Sequence, residues 1–352
     1  MTGREPGRGS PEQTGAPPHR GFLLIDKPRG VTSHDVVETV RRALAPGRRR
    51  RGAGRFRCGH AGTLDPLATG LLLVLCGPET RLAHFLLGLD KRYLFTLRLG
   101  AATDTLDADG EVTATGDADR DAEDVARVLD GFRGGIQQVP PIISALKRGG
   151  RPLYELAREG VEIPDPPARQ VRIHALETCG PARPSTDDTG EVCDVDLAVH
   201  CSRGTYVRSL ARDIAAALDS VGHVRELRRT SVGSFQVADA LDAARMHEAE
   251  ALVAAMRPAV EALPAAPALA VSAEEAAALR QGIQPRREWL ARLPAPPEGT
   301  LLRLVDAAGA LVAVGELARA ENGIDDALPS PRLAAVFPPP TGRSERGPGP
   351  CD

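Results

Sequence analysis

Apolar residues fall in short runs between Gly, Pro and charged clusters, and their spacing changes along the chain. Gly21-Phe22-Leu23-Leu24-Ile25 is a β-rich run stopped by Asp26-Lys27-Pro28. Thr32 and Asp35 have capping-box spacing, and Val36, Val37, Val40 and Leu44 follow at helical intervals, so a helix should end before Pro46-Gly47. Leu71–Cys76 is a continuous apolar run suited to a buried strand. Thr80 is placed to cap a helix through Leu89, and Tyr93–Leu99 alternates as a strand. Asp107-Ala108-Asp109-Gly110 reads as a turn into a second strand, and Asp121–Phe132 as an acidic surface helix.

The segment 137–168, dense in Pro and Gly around a short helix, reads as an excursion from the main body. Val192–Val199 has strand character. After Gly204, the apolar residues Val207, Leu210, Ala211, Ile214 and Leu218 mark an amphipathic helix. Residues 238–263, rich in Ala and Leu, read as helical, and 264–268 as a linker. Leu301–Val305 and Ala310–Gly315 make a hairpin around Ala307-Ala308-Gly309 in a small β-rich module. The polar ends, 1–20 and 338–352, read as disordered tails. There is no internal repeat and no regular βαβ spacing, so the fold class is α+β with a small β appendage.

Composition changes this picture little; charge changes it more. No apolar run approaches a membrane span and the first residues lack the apolar stretch of a signal peptide, so the chain reads as soluble and cytoplasmic. Six cysteines without a C-x-x-C pair exclude the usual zinc and disulfide frameworks. The net charge of −3 conceals segregation. Residues 41–57 carry eight arginines and no acid, whereas 104–130 carry ten acids against two arginines. A local basic stripe, not the total, is what a nucleic acid meets. Against 41 arginines stand three lysines, Lys27, Lys91 and Lys147, and three tyrosines, Tyr93, Tyr154 and Tyr206. Lysines that survive such a bias mark places where a planar guanidinium is no substitute.

The stretch Gly59-His60-Ala61-Gly62-Thr63-Leu64-Asp65-Pro66-Leu67-Ala68-Thr69-Gly70 is the most unusual. Its glycines let backbone approach a ligand, and Pro66 restricts Asp65 to extended geometry. A carboxylate fixed at the mouth of a core strand can serve as nucleophile or general base. Spacing alone does not separate that role from an Asx turn at a loop end. No phosphate-binding loop, dinucleotide fingerprint, H-E-x-x-H or G-x-S-x-G is present.

GFLLIDKPRGVTS (21–33), GHAGTLDPLATG (59–70), KRY (91–93), SALKRGGRPLYELAREG (144–160), CSRGTYVRSLARDI (201–214) and HVRELRRTSVG (223–233) together resemble the successive motifs of the TruB family of pseudouridine synthases. They occur in family order over roughly 21–240, and about 268–337 is similar to the family's C-terminal PUA-like RNA-binding module. The resemblance implies a pseudouridine synthase fold: a catalytic domain at 21–263 on a mixed, largely antiparallel central sheet, with a thumb-like insertion at about 137–168. It implies isomerisation of uridine to pseudouridine at position 55 in the T loop of tRNA, without cofactor, metal or obligatory protein partner. Asp65 matches the essential carboxylate, Arg208 the arginine that pairs with it, and Tyr93 the tyrosine that stacks on the target uracil. His60 matches the histidine that fills the space left by the flipped base. Lys27 would support the catalytic loop or a phosphate, Tyr206 would border the pocket, and Leu227 would pack on the base. Lys147 and Tyr154 would lie on the thumb. Two further readings share these motifs: the catalytic subunit of an RNA-guided complex, and a tRNA-folding chaperone.

Overall fold

The computed structural model describes residues 19–47, 56–144, 147–152, 159, 163–293, 299–318 and 330–339. The chain starts with strand β1 (Gly21–Lys27), helix α1 (Ser33–Leu44), β2 (Cys58–His60) and β3 (Thr69–Cys76). A 3₁₀ turn leads into α2 (Ala83–Leu87) and the long β4 (Lys91–Leu99). The hairpin β5 (Ala101–Thr103)/β6 (Val112–Thr115), helix α3 (Ala122–Leu129) and β7 (Gly134–Gln138) come next. A two-residue pair, β8 (Lys147–Arg148) and β9 (Arg151–Pro152), precedes β10 (Arg169–Thr178), β11 (Arg183–Asp187) and β12 (Gly190–Cys201). Helix α4 (Val207–Ala217), β13 (Gly222–Val232), β14 (Phe235–Gln236), β15 (Leu241–Asp242) and α5 (Ala249–Ala254) complete the body. The C-terminal module holds β16 (Ala268–Ala270), α6 (Ala273–Arg280), β17 (Leu301–Val305), β18 (Leu311–Ala318) and β19 (Ser330–Val336).

One large sheet runs β15-β1-β3-β13-β4-β12-β10-β7, with β2, β11 and β14 as side branches. It is mixed: β1/β15 and β3/β13 are parallel and the remaining pairs antiparallel. The two-residue period of a strand explains the unbroken apolar runs in its middle. In β3, Leu72, Val74 and Cys76 enter one core with α1 and α4, while Leu71, Leu73 and Leu75 enter a second core on the opposite face. β1 divides likewise, with Leu23 and Ile25 on one side and Phe22 and Leu24 on the other.

The second core is shared with the C-terminal module, which contributes Leu311, Val314 and Phe337. That module has its own sheet, β16-β17-β18-β19, and its own core around Leu279, Trp289 and Leu304. Arg303 pins the preceding segment by donating to the carbonyls of Ala266 (2.7 Å) and Val260 (2.9 Å). The expected linker at 264–268 is therefore a fixed part of the interface.

Helix α1 follows its pattern, with Thr32 and Asp35 forming a reciprocal capping box and Val36, Val37, Val40 and Leu44 buried. Two expectations need correction. Between Thr80 and Leu89 there is no single helix. Gly77 (φ +76°) turns the chain at the strand end and Pro78 sits in a 3₁₀ turn at Gly77–Leu82, so coiling begins before Thr80, which donates to Gly77 O at 3.0 Å instead of capping. The segment 238–263 is likewise not one helix. Leu241-Asp242 pairs with Ile25-Asp26, Asp242 caps a new turn, and Arg257 exchanges backbone bonds with Phe22 (3.0 and 2.9 Å). Docking onto the edge of β1 thus overrides helical propensity.

At the chain ends, Arg20 bonds Glu79 and donates to the carbonyls of Pro338 (2.8 Å) and Pro339 (2.9 Å). Pro338 and Pro339, the first residues of the expected C-terminal tail, are held by these bonds. The Arg-rich stretch 48–55, the centre of the excursion including Tyr154, and the tails 1–18 and 340–352 lie outside the described residues.

Candidate active site

The loop between β2 and β3 is held by the β1–α1 connection. Ser33, almost fully buried, bonds both backbone groups of Leu64: its hydroxyl donates to the carbonyl (3.0 Å) and accepts from the N–H (2.8 Å). Gly30 N–H donates to Pro66 O at 2.8 Å. Fully buried Lys27 donates to the carbonyls of Val31 (2.7 Å), Pro28 (2.9 Å) and Pro66 (3.4 Å). Leu64, Leu67 and Ala68 are buried beneath, so Asp65 projects from a fixed backbone with its side chain about one-third exposed (35%).

Arg208, on the first turn of α4, meets it. Its side chain is 5% exposed, and Nε lies 3.0 Å from Asp65 Oδ2 without the alignment of a hydrogen bond. Its terminal nitrogens donate to Thr105 O (2.7 Å) and Ile143 O (3.1 Å), and Nη1 is 3.5 Å from Asp107 Oδ2. One guanidinium therefore sits between two carboxylates, fixed by the chain segments before β6 and after β7. Burial raises the pKa of Asp107, opposed by its bond from Thr105 and by Arg208. Helix α4 is itself registered by Gln138, whose amide accepts from Tyr206 N–H (2.8 Å) and donates to Tyr206 O (3.1 Å).

These groups border a cavity of about 270 Å³ whose walls include Asp65, Tyr93, Tyr206, Arg208, Leu227, Lys91 and Arg229. It is slightly smaller than the usual ~300–1,000 Å³ small-ligand site. Its floor is the β4–β13 pair. Arg229 is 1% exposed and donates to Leu71 O (2.7 Å), Gly62 O (3.1 Å) and Thr63 O (3.5 Å), tying β13 to the Asp65 loop. Gly70 makes this approach possible: its φ is +101°, and a Cβ there would lie 2.2 Å from Arg229 O. Burial raises the Tyr93 phenol above its ordinary pKa, with Arg229 opposing, and raises that of Tyr206. Burial also lowers Lys27 and Lys91 to about 8, partly offset at Lys27 by Asp65 and reinforced at Lys91 by Arg229.

The structure thus brings Asp65, Tyr93, Arg208, Tyr206 and Leu227 to one cavity, with Lys27 beneath its rim. His60 ends β2 outside the cavity lining; its ring Nδ1 is buried without a hydrogen-bond partner among the described residues, and burial lowers its pKa. Lys147 has its backbone in β8, and its side chain lies outside what is described. Ser33, Asp107, Gln138 and Arg229 were not singled out from the sequence. Arg229 had a signal only in the stretch it shares with Leu227, HVRELRRTSVG (223–233). Asp107 looked like a turn residue, and nothing local marks Gln138. Among the described residues, no helix is long and apolar enough to cross a membrane.

Two family profiles match consecutive parts of the chain: the TruB family pseudouridylate synthase N-terminal domain over 50–207 and the tRNA pseudouridylate synthase B C-terminal domain over 208–291. The tRNA pseudouridine synthase B of Tolumonas auensis is 42% identical over 228 residues, 65% of this chain and 64% of that protein. The Gluconacetobacter diazotrophicus protein of the same name is 47% identical over 225 residues, 64% of this chain and 67% of that one. That of Corynebacterium efficiens is 37% identical over 300 residues, 85% of this chain and 96% of its own length. Among solved structures, an archaeal box H/ACA Nop10–Cbf5 complex has a chain with TM-score 0.60 and 23% identity, covering 92% of this chain and 87% of that one. A Cbf5–Nop10–Gar1 complex gives 0.60 at 24% identity, with 94% and 90% covered. At that identity the structural likeness speaks to fold alone. From the two consecutive profiles and the near full-length Corynebacterium relative, this chain belongs to the TruB family of tRNA pseudouridine synthases.

Proposed function

We propose that this chain isomerises uridine to pseudouridine at position 55 in the T loop of tRNA, with Asp65 as the catalytic carboxylate. The observation that carries this reading is Asp65 itself: it projects from an anchored loop into a nucleoside-sized cavity, paired with a buried arginine. The reaction breaks the N1–C1′ bond, turns the uracil over and forms a C5–C1′ bond. The C5 proton is lost and N1 gains one, so the product is an isomer. A carboxylate held at the sugar–base junction can take the C2′ proton, or attack C1′ or the ring. The target atoms are inaccessible in a stacked base, so the nucleotide must be flipped into the pocket. Tyr93 and Leu227 then offer a ring and an apolar side chain to pack on uracil, and Tyr93 is placed to assist loss of the C5 proton. Arg208 fixes Asp65, and Lys27 fixes the loop that carries it. His60 occupies the space left in the RNA.

The catalytic domain spans 21–263, the insertion at about 137–168 closes as a thumb carrying Lys147, and the module at 268–337 contacts RNA as a PUA-like unit. The enzyme works in the cytoplasm on the tRNA T stem-loop and needs no protein partner. The test is tritium release from tRNA labelled at uridine C5, by the pure protein and by Asp65→Asn. Release by the wild type alone, lowered at least ~10²–10⁴-fold in the variant, is expected. Equal release by both overturns the assignment of Asp65, and no release by the wild type overturns activity on unguided tRNA.

A further inference from the structure

Away from the Asp65 cavity, three strands bring two histidines and a carboxylate together on the outer face of the large sheet. Asp90 immediately precedes β4, His174 lies on β10 and His200 on β12. In the β10/β12 pairing Ile173 opposes Cys201 and Ala175 opposes His200, so His174 is the extra residue of a β-bulge. Ile173 and Leu176 are buried on either side, while His174 and Ala175 both face out. A bulge re-aims a side chain that strict alternation would place elsewhere. Here it sets the His174 ring 4.7 Å from that of His200 and its Nε2 3.1 Å from Asp90 Oδ2. One nitrogen or oxygen from each of the three residues lies within 4.8 Å of the others.

We propose that Asp90, His174 and His200 form a surface site for a divalent transition metal of the zinc type. Zinc bonds of ~2.0–2.1 Å in a tetrahedron put ligand atoms about 3.3 Å apart. The His174–Asp90 pair is already at that spacing, and rotation of partly exposed rings closes the rest. Two imidazoles and one carboxylate, with the remaining positions open to water, suit zinc, nickel or copper. Magnesium and calcium prefer all-oxygen shells and are poorly served. Arg92, the exposed cross-strand partner of His200, opposes the cation and keeps affinity below that of a closed structural site. The residues line no part of the Asp65 cavity. A bound ion would instead tie β10 and β12 to the start of β4, one residue from Lys91.

The test is calorimetric titration of the chelator-treated full chain with zinc chloride, beside His174→Ala, His200→Ala and Asp90→Asn. One ion per chain is expected, with affinity at least about tenfold weaker in each variant, because even partners beyond the ligand shell are worth ~10–100-fold. Cobalt(II) in place of zinc should show no thiolate-to-metal charge-transfer band, which separates this site from the cysteines. Metal-free melting curves check the fold, and His174→Gln or His200→Gln replaces the matching alanine variant if that one melts early. Absence of binding to the wild type, or unchanged affinity in the His174→Ala/His200→Ala double variant, overturns the proposal.

Discussion

Arg208 meets four groups at once, donating to two backbone carbonyls and pairing electrostatically with two carboxylates, and no lysine can reproduce that planar fork. Arg208→Lys should lower turnover by ~10²-fold or more and destabilise the protein by about 2–3 kcal/mol, below the usual figure for a broken buried pair because Asp65 is partly exposed. Single-turnover kinetics and denaturant unfolding check both halves; unchanged turnover would remove Arg208 from the proposed machinery. Lys27 gives a pH prediction. Its pKa is lowered to about 8 in the fold against 10.5 when free. Below pH 8 both states hold the proton and the desolvation cost is fully present. As pH rises from 8 towards 10.5 the unfolded chain binds more protons, so this group's contribution to stability grows. Wild type should therefore gain stability relative to Lys27→Met across that window, measured by urea unfolding at successive pH values; a constant difference would contradict the shifted pKa. Asp65, Tyr93 and Leu227 were singled out through their motifs, and the structure places them around one cavity. Ser33 and Gln138 were not, because what they bond is backbone brought close only by folding.

At the scale of elements, legibility followed periodicity. Helix α1 and strands β3, β4 and β12 keep one period throughout and were read correctly. Strand β13 was not assigned, although it lies in the middle of the sheet. Its sequence Gly222–Val232 is rich in charged residues, and its pairing with β4 shifts register between Val224 and Glu226 and again between Arg229 and Ser231. Each bulge resets the alternation, so no two-residue period survives to be seen. Those same irregularities accompany the placement of Leu227 and Arg229 at the cavity. The join between β3 and β13 is correspondingly intolerant. Gly70→Ala forces a side chain into a positive-φ position against the Arg229 backbone. A loss of at least about 2 kcal/mol is expected, together with lower turnover, since Arg229 also anchors the Asp65 loop. Thermal melting and tritium release measure the two effects, and a variant that keeps wild-type stability would show that the strands can separate without harm.

For the whole molecule, composition alone said little. The net charge of −3 gives no sign of a polyanionic ligand, and the α+β class covers many activities; the ordered motifs supplied the family. If tRNA is the ligand, its affinity should fall by about 0.7–0.9 log unit per log unit of salt for each phosphate contacted. Filter binding across a salt series measures the slope, and a flat response would argue against a phosphate-lined interface. The contacts of Arg20 carry a different consequence. By clasping Glu79 of the large-sheet body and the carbonyls of Pro338 and Pro339, it sits beside the last described residues. Arg20 and Pro338–Pro339 therefore lie within the reach of one side chain. A short linker from Pro339 to Arg20 should allow the chain to be reopened at an exposed loop, yielding a circular permutant that keeps both cores and the cavity.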